Sequence, residues 1–291
     1  MKLAVNFSEA LIHLLQNDPG LQVDYIKVPT VAFPGCFSQF EQGERWRPLL
    51  PHPAQTGVIA LGHPDPGQRF NPEIVAEIIR RTNPPYLSTH LEAKVDYFPE
   101  FRSYQHEFHP GLQQMLAERF LQAVKTVKEV TGLQLLVENF PYYTWREQYR
   151  LGSEPWFVRE ICEQGDCGFL LDIAHARCSA GSFGISDQAY INALPLERLR
   201  EIHLAGVRNQ KYGIRDTHTA LEEWDYQLFR EVLEQARPEI VSLEYGGMPE
   251  QILNADGVWE PIARNNSAEL QFMIGRIRKI IEEFEANLSE V

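Results

Sequence analysis

Eight short apolar runs, each bounded by turn signals and each giving way to a loop, divide this chain at intervals that leave room for a helix between most of them. They cover residues 2–7, 23–28, 57–62, 86–90, 134–138, 168–173, 200–204 and 240–244. Runs of four to eight apolar or β-branched residues between turn signals read as strands. The stretches between carry helical period. Residues 72–82 place Ile74, Val75, Ile78 and Ile79 on one side, 112–130 place Leu116, Phe120, Val124 and Val127, and 221–236 place Trp224, Leu228, Val232 and Leu233. Asn71 followed by Pro72 is a cap followed by a good first helical residue. Parallel strands need a crossover, usually a helix, so the alternation predicts an α/β fold of parallel order. Eight strands is the number a closed (β/α)8 TIM barrel requires, and 291 residues at 44% hydrophobic content suit one barrel, for which about 250 residues is typical. No repeat and no Pro/Gly/Ser-rich linker divides the chain. We therefore expect a single TIM-barrel domain over 1–291, with a last helix at 267–288 closing the ring from outside. Two long irregular segments, 30–56 and 246–266, would follow strands two and eight and sit at the catalytic face.

Charge and cysteine usage narrow the function classes. Lys and Arg number 27 against 40 Asp and Glu, a formal charge of −13. Such a chain repels phosphate backbones and anionic lipid, so neither a nucleic-acid nor a membrane partner is expected. No run of 18 apolar residues is present, and the N-terminal stretch lacks a cleavage signal. Cys36, Cys162, Cys167 and Cys178 have no paired C-x-x-C spacing, which fits unpaired thiols in a reducing compartment; a cytoplasmic location is expected.

The chemistry-bearing residues cluster where the runs end. They are His63, His90, Glu138, Asp172, His175, His203, Asp216, His218 and Glu244. In a parallel barrel, strand C-termini converge on one mouth above a packed interior, and here the interior portions (Leu135, Leu136, Val137; Phe169, Leu170, Leu171) are apolar. Carboxylates and imidazoles crowded there repel or stay unsatisfied unless a cation holds them. Imidazole and carboxylate donors without Cys favour iron, manganese, zinc or cobalt. Nine donors exceed the needs of one ion with open positions, so two or three divalent ions bridged by carboxylates are expected, with Glu138 and Glu244 as candidate bridges. Asn139, beside Glu138, and Arg264, in the 246–266 segment, are candidate substrate-binding or supporting residues. No catalytic group beyond the ligands is assigned.

Competing readings are local. Any single histidine at a strand end can be a hydrogen-bonded structural residue, Glu138 or Glu244 can pair with an arginine, and Asp216 can cap a helix starting near Thr219. His13, His52, His106 and His109 read as surface residues. Cys178 reads as a small packed residue, and Gly181–Gly184 lacks the Lys-Ser/Thr of a phosphate loop.

Several stretches together resemble a family: LLVENFPYY, GFLLDIAHARCSAGSFG, IHLAG at 202–206, RDTH at 215–218, SLEYGG, and YLSTHL upstream. They are similar to the multinuclear non-haem iron-dependent oxidases, whose members modify cysteines of ribosomally made peptides, as in methanobactin biosynthesis, within the xylose-isomerase-like barrel superfamily. The resemblance implies bound iron, ligand roles for His63, His90, Glu138, Asp172, His203, Asp216, His218 and Glu244, a small-molecule or peptide substrate, and a separate partner protein that presents it. Many members carry Asn where this chain has Ala174 and His175, and end their last strand in Glu-Trp-Asp where this chain has Glu244-Tyr245-Gly246. Within the superfamily the alternatives are a metal-dependent sugar isomerase or epimerase, an abasic-site endonuclease, which the −13 charge disfavours, and a non-catalytic binding protein on the same scaffold.

Overall fold

The computed structural model describes residues 1–29, 37–246, 250–253, 257–262 and 265–289. Its strands are β1 (Lys2–Asn6), β2 (Tyr25–Pro29), β3 (Leu49–His52), β4 (Leu87–His90), β5 (Leu135–Glu138), β6 (Gly168–Asp172), β7 (Leu199–Leu204), β8 (Gly206–Gln210), β9 (Gly213–Thr219), β10 (Ile240–Leu243), β11 (Glu250–Leu253) and β12 (Trp259–Ile262). Eight of them join one parallel sheet in the order β3-β2-β1-β10-β7-β6-β5-β4, while β8–β9 and β11–β12 are separate antiparallel hairpins. The two outer strands, β3 and β4, lie on either side of the remaining gap, where His52 Nδ1 and Ser88 Oγ are 2.8 Å apart. The sheet is thus a nearly closed (β/α)8 barrel, as the alternation of runs predicts.

Strand three is not where the apolar pattern puts it. Most of residues 57–62 is buried, with Val58, Ile59 and Leu61 at 1% exposure or less. They form a connection rather than a strand, held by single bridges from Ile59 to Ala54, Gln55 and Phe70 and by the Thr89 hydroxyl, which donates to the Ile59 carbonyl at 3.1 Å. The strand is Leu49-Leu50-Pro51-His52, paired with β2 alone. Proline lacks an N–H for the ladder and is tolerated where one strand edge is unpaired, so Pro51 sits at the barrel seam. The segment 30–56, expected to be irregular, accordingly contains the helix Phe37–Gly43 as well as β3, and 246–266 contains the β11–β12 hairpin. Cys36 and Arg264 lie outside the described residues.

The outer layer follows from the helical periods. Asn71 Oδ1 accepts the Ile74 N–H at 3.1 Å to start the helix Pro72–Thr82. The C-terminal helix Ser267–Ser289 buries Leu270, Met273, Ile274, Ile277, Ile280 and Ile281, each such side chain being worth about 1.5–3 kcal/mol against water. Among the described residues no helix is long and apolar enough to cross a membrane.

Inside the ring, side chains alternate with period two, so a residue shares its face with the one two positions on. A lower layer of Ala4, Leu50, Tyr86, Leu136, Leu170 and Ile240 is apolar. Two residues beyond Leu50, Leu136 and Leu170 come His52, Glu138 and Asp172; two beyond Ser88, Glu201 and Ser242 come His90, His203 and Glu244. The pleat alone therefore lifts six potential ligands to the same rim.

Candidate metal centre

Parallel register sets the neighbours along that rim. His90 stands beside Glu138 and Asp172 beside His203 in directly paired positions, and the Glu244 N–H donates to the Leu204 carbonyl at 2.8 Å, which places it next to His203. Three donor groups result: His52–His90–Glu138, Glu138–Asp172–His175 and Asp172–His203–Glu244, with one donor atom from each residue lying within 4.8 Å of the others. Consecutive groups share a carboxylate, Glu138 between the first and second and Asp172 between the second and third. Glu244, an expected bridge, belongs to one group only.

The atoms left over identify what these groups accommodate. Both carboxylate oxygens of Glu138, Oδ2 of Asp172 and Nδ1 of His203 are buried and make no well-formed hydrogen bond, though each has an imidazole or carboxylate atom of the cluster 3.1–3.7 Å away. Such orphans cost about 1–3 kcal/mol each, more when charged. All of them sit in the shared groups, and divalent cations bound by N and O donors would satisfy every one. Much of the surrounding shell is already committed. Asp172 Oδ1 accepts the His175 N–H at 2.7 Å and caps the helix Ile173–Phe183, which leaves Oδ2 for the rim. Asn139 pins the same strand end from both sides: its Nδ2 donates to the Asp172 carbonyl and its Oδ1 accepts the Asp172 N–H, each at 2.9 Å. Below the rim, Lys27 and Ser242 both donate to Glu201 Oε1 at 2.6 Å, and Lys27 Nζ and Glu201 Oε1 lie 2.5 and 3.2 Å from His203 Nε2. Outer partners of this kind fix the ring of a ligating histidine.

Asp216 and His218 come from β9, whose hairpin folds over the mouth, rather than from a helix cap. Asp216 Oδ2 is 3.1 Å from His218 Nε2 and 3.6 Å from His175 Nε2, and His218 Nε2 is 3.5 Å from Glu244 Oε2. His218 holds a left-handed φ of 49°, and its carbonyl accepts the Gly246 N–H, tying the hairpin to the end of β10. The pair thus lies over the second and third groups.

A family model for the RiPP precursor modification enzyme MbnB/TglH/ChrH matches residues 12–252 of the chain. The protein belongs to this family. A UPF0276 protein of Anaeromyxobacter sp. (strain Fw109-5) is 30% identical over 223 residues, covering 74% of this chain and 73% of that protein. Among solved structures, 3-keto-D-glucoside 4-epimerase YcjR from E. coli shares the fold at a TM-score of 0.53 and 11% identity, covering 98% of this chain and 99% of that one. Endonuclease IV from Thermus thermophilus does so at 0.50 and 16% identity, covering 97% and 100%. The fold is thus xylose-isomerase-like, and the resemblance read from the motifs is borne out.

Electrostatics in this MbnB/TglH/ChrH family member express the same crowding. Burial works to keep His175 and His203 neutral, but Asp172, Asp216 and Glu138 around His175, and Glu244 and Glu138 around His203, raise both well above the ordinary imidazole value. His218, against Asp216 and Glu244, rises to about 9 in spite of its burial. Burial dominates at His52, which with Lys27, His90 and His203 nearby falls well below that value. Without metal, the carboxylates draw protons toward these imidazoles; divalent ions bound there would take the place of those protons.

Eight of the nine residues expected from sequence meet at this mouth. His63 does not. It lies beyond the 57–62 connection, where its Nδ1 accepts the Asp65 N–H at 3.2 Å and its ring packs 5.0 Å from that of Tyr97. His52, expected on the surface, takes the strand-three place at 8% exposure. Two prolines around it mask the strand; its signal is an apolar pair followed by an imidazole two residues beyond an inward-facing Leu50.

Proposed function

We propose that this protein is a di- or trinuclear non-haem iron oxidase that acts on a thiol of a peptide or small molecule. The observation that carries the reading is the row of three donor groups joined by Glu138 and Asp172. One ion suffices to polarise a sugar carbonyl, whereas a row joined by two carboxylates provides for neighbouring ions that share electrons and substrate. Iron held there would supply redox chemistry with dioxygen as the oxidant, and soft thiolate ligands suit such an ion.

The chain's own residues would do the rest. His52, His90 and Glu138 would hold one ion, Glu138, Asp172 and His175 a second, and Asp172, His203 and Glu244 a third; Asp216 and His218 would complete the coordination from above. Asn139 and the Asp172 cap keep the shared carboxylate from turning away, and the Lys27–Glu201–Ser242 layer holds the His203 ring. The β8–β9 hairpin covers the mouth and restricts water. The family's description as precursor-modifying enzymes supports a ribosomal peptide as substrate, and we extend the proposal to a separate protein that presents it. Manganese, zinc or cobalt could fill the same donors.

The test is metal analysis by plasma mass spectrometry on protein purified without chelators, combined with oxygen uptake on adding cysteine-containing peptides. Two or three iron ions per chain and thiol-dependent uptake are expected. A single zinc or magnesium ion with anaerobic ketose isomerisation would replace this reading with the isomerase alternative, and full function after His203→Ala or Glu244→Ala would reduce the scaffold to a binding protein.

A further inference from the structure

On the His175–His218 flank of the centre lies a cavity of about 250 Å³ lined by Phe140, Tyr143, Arg146, His175, Arg215 and Asp216, among others. Two guanidinium-bearing side chains on one small wall are unexpected in a chain of net charge −13. Arg146 is the informative one. Its backbone is fixed: its N–H donates to the Tyr143 carbonyl at 3.0 Å, and its carbonyl accepts from Gln105 Nε2 at 2.6 Å and from the Gln148 N–H at 2.9 Å. Its guanidinium has ring faces for company, 4.9 Å from the centre of Tyr143 and 5.2 Å from that of Trp145, and among the described residues no carboxylate lies within ion-pair distance of it. Tyr143 is fixed in turn, with its hydroxyl accepting the Asp216 N–H at 3.2 Å and directed at Cys178 Sγ 3.5 Å away. The result is a half-buried, pre-oriented fork of N–H donors facing a cavity that also opens onto His175, Asp216 and His218.

From this geometry we propose that the cavity is a carboxylate subsite, in which Arg146 binds an acidic group of the substrate and so places the adjoining reactive group at the metal row. A planar guanidinium stacked on aromatic rings matches a carboxylate with two parallel hydrogen bonds, which a lysine ammonium cannot reproduce. The overall negative field works against acidic substrates at long range, so recognition has to be local. The substrate carboxylate has two possible sources, a peptide C-terminus or an Asp or Glu side chain close to the reacting residue. This assignment rests on the peptide-oxidase reading for the identity of the substrate, but not for the subsite itself.

Calorimetric titration of the protein as purified, with its metal, tests the proposal. The probes are N-acetylcysteine against N-acetylcysteinamide, and N-acetylalanine against N-acetylalaninamide. Each acid should bind about tenfold or more tighter than its amide, as loss of one charge-assisted pair predicts. The preference should fall to near one in Arg146→Gln, be partly kept in Arg146→Lys, and leave the melting temperature of both variants near that of the wild type. Short peptides ending in free Cys, or in amidated Cys preceded by Asp, then separate the two sources. Equal affinity for acid and amide in the wild type, or a preference that survives in Arg146→Gln, overturns the subsite. An acid preference in the alanine pair with no gain from the thiol keeps the subsite and counts instead against the thiol-oxidase reading.

Discussion

His52 and His63 separate the two ways a histidine can be read from sequence. His63 ends a continuous apolar run and so looks like a strand-end ligand, yet that run is buried as a connection, because hydrophobicity reports burial and not strand geometry. His52 follows only two apolar residues and lies between Pro51 and Pro53, yet it stands 3.3 Å from His90 and 3.4 Å from Glu138. His52→Ala is therefore expected to lose about one metal ion per chain while His63→Ala retains the full complement, as measured by plasma mass spectrometry on matched preparations; the reverse pattern would reinstate the 57–62 strand assignment. His90, Glu138, Asp172, His203 and Glu244 are legible because each closes a strand whose pattern is unambiguous. The sharing of Asp172 is not legible, since only the helix cap shows that one of its oxygens is committed and the other left over.

Strands and hairpins explain why these side chains meet. Parallel register and period two are generic properties of a barrel, so the rim can be anticipated from the eight runs. What the sequence hides is the polar layer beneath it, because Lys27, Glu201 and Ser242 come from strands far apart in the chain and none carries a motif. Lys27 and Glu201 are essentially without solvent exposure, and burial, which alone would raise the Glu201 carboxyl, is outweighed by Lys27 and His203, which hold it well below the usual carboxylate range. Removing one partner of a buried pair leaves an uncompensated charge and costs about 3–5 kcal/mol, whereas removing both is milder. Lys27→Met is expected to destabilise the protein by that order in urea unfolding, and adding Glu201→Gln to recover part of the loss; strictly additive losses would show that the two do not act as a pair. The β8–β9 hairpin escapes a reading from sequence for a simpler reason. Asp216-Thr217-His218 resembles a helix start, but the chain continues as a strand to Thr219 and begins its helix only at Glu223.

Taken as a whole, the molecule is a stable shell around a rim that is strained by its own charges, and proton or metal binding there feeds back on folding. In metal-free protein, His175, His203 and His218 bind protons more tightly folded than unfolded. The stabilisation they give is complete below the ordinary value of 6.5 and is lost as pH rises, for His218 through about 9. Metal needs the same imidazoles neutral, so its affinity climbs across that window. The melting temperature of chelator-stripped protein should fall between pH 6.5 and 9.5, and that of metal-loaded protein should not; a metal-free protein that gains stability over this range would rule out these rings as the compensating cations. The whole reading turns on Glu138, Asp172 or both serving two neighbouring ion positions. Anomalous diffraction at the iron edge, from crystals of protein purified without chelators, decides the matter. Two or three peaks are expected in a row along the β3–β10 rim, neighbouring peaks being separated by Glu138 or Asp172; a single peak, or peaks that lie next to neither carboxylate, would refute the shared-carboxylate row.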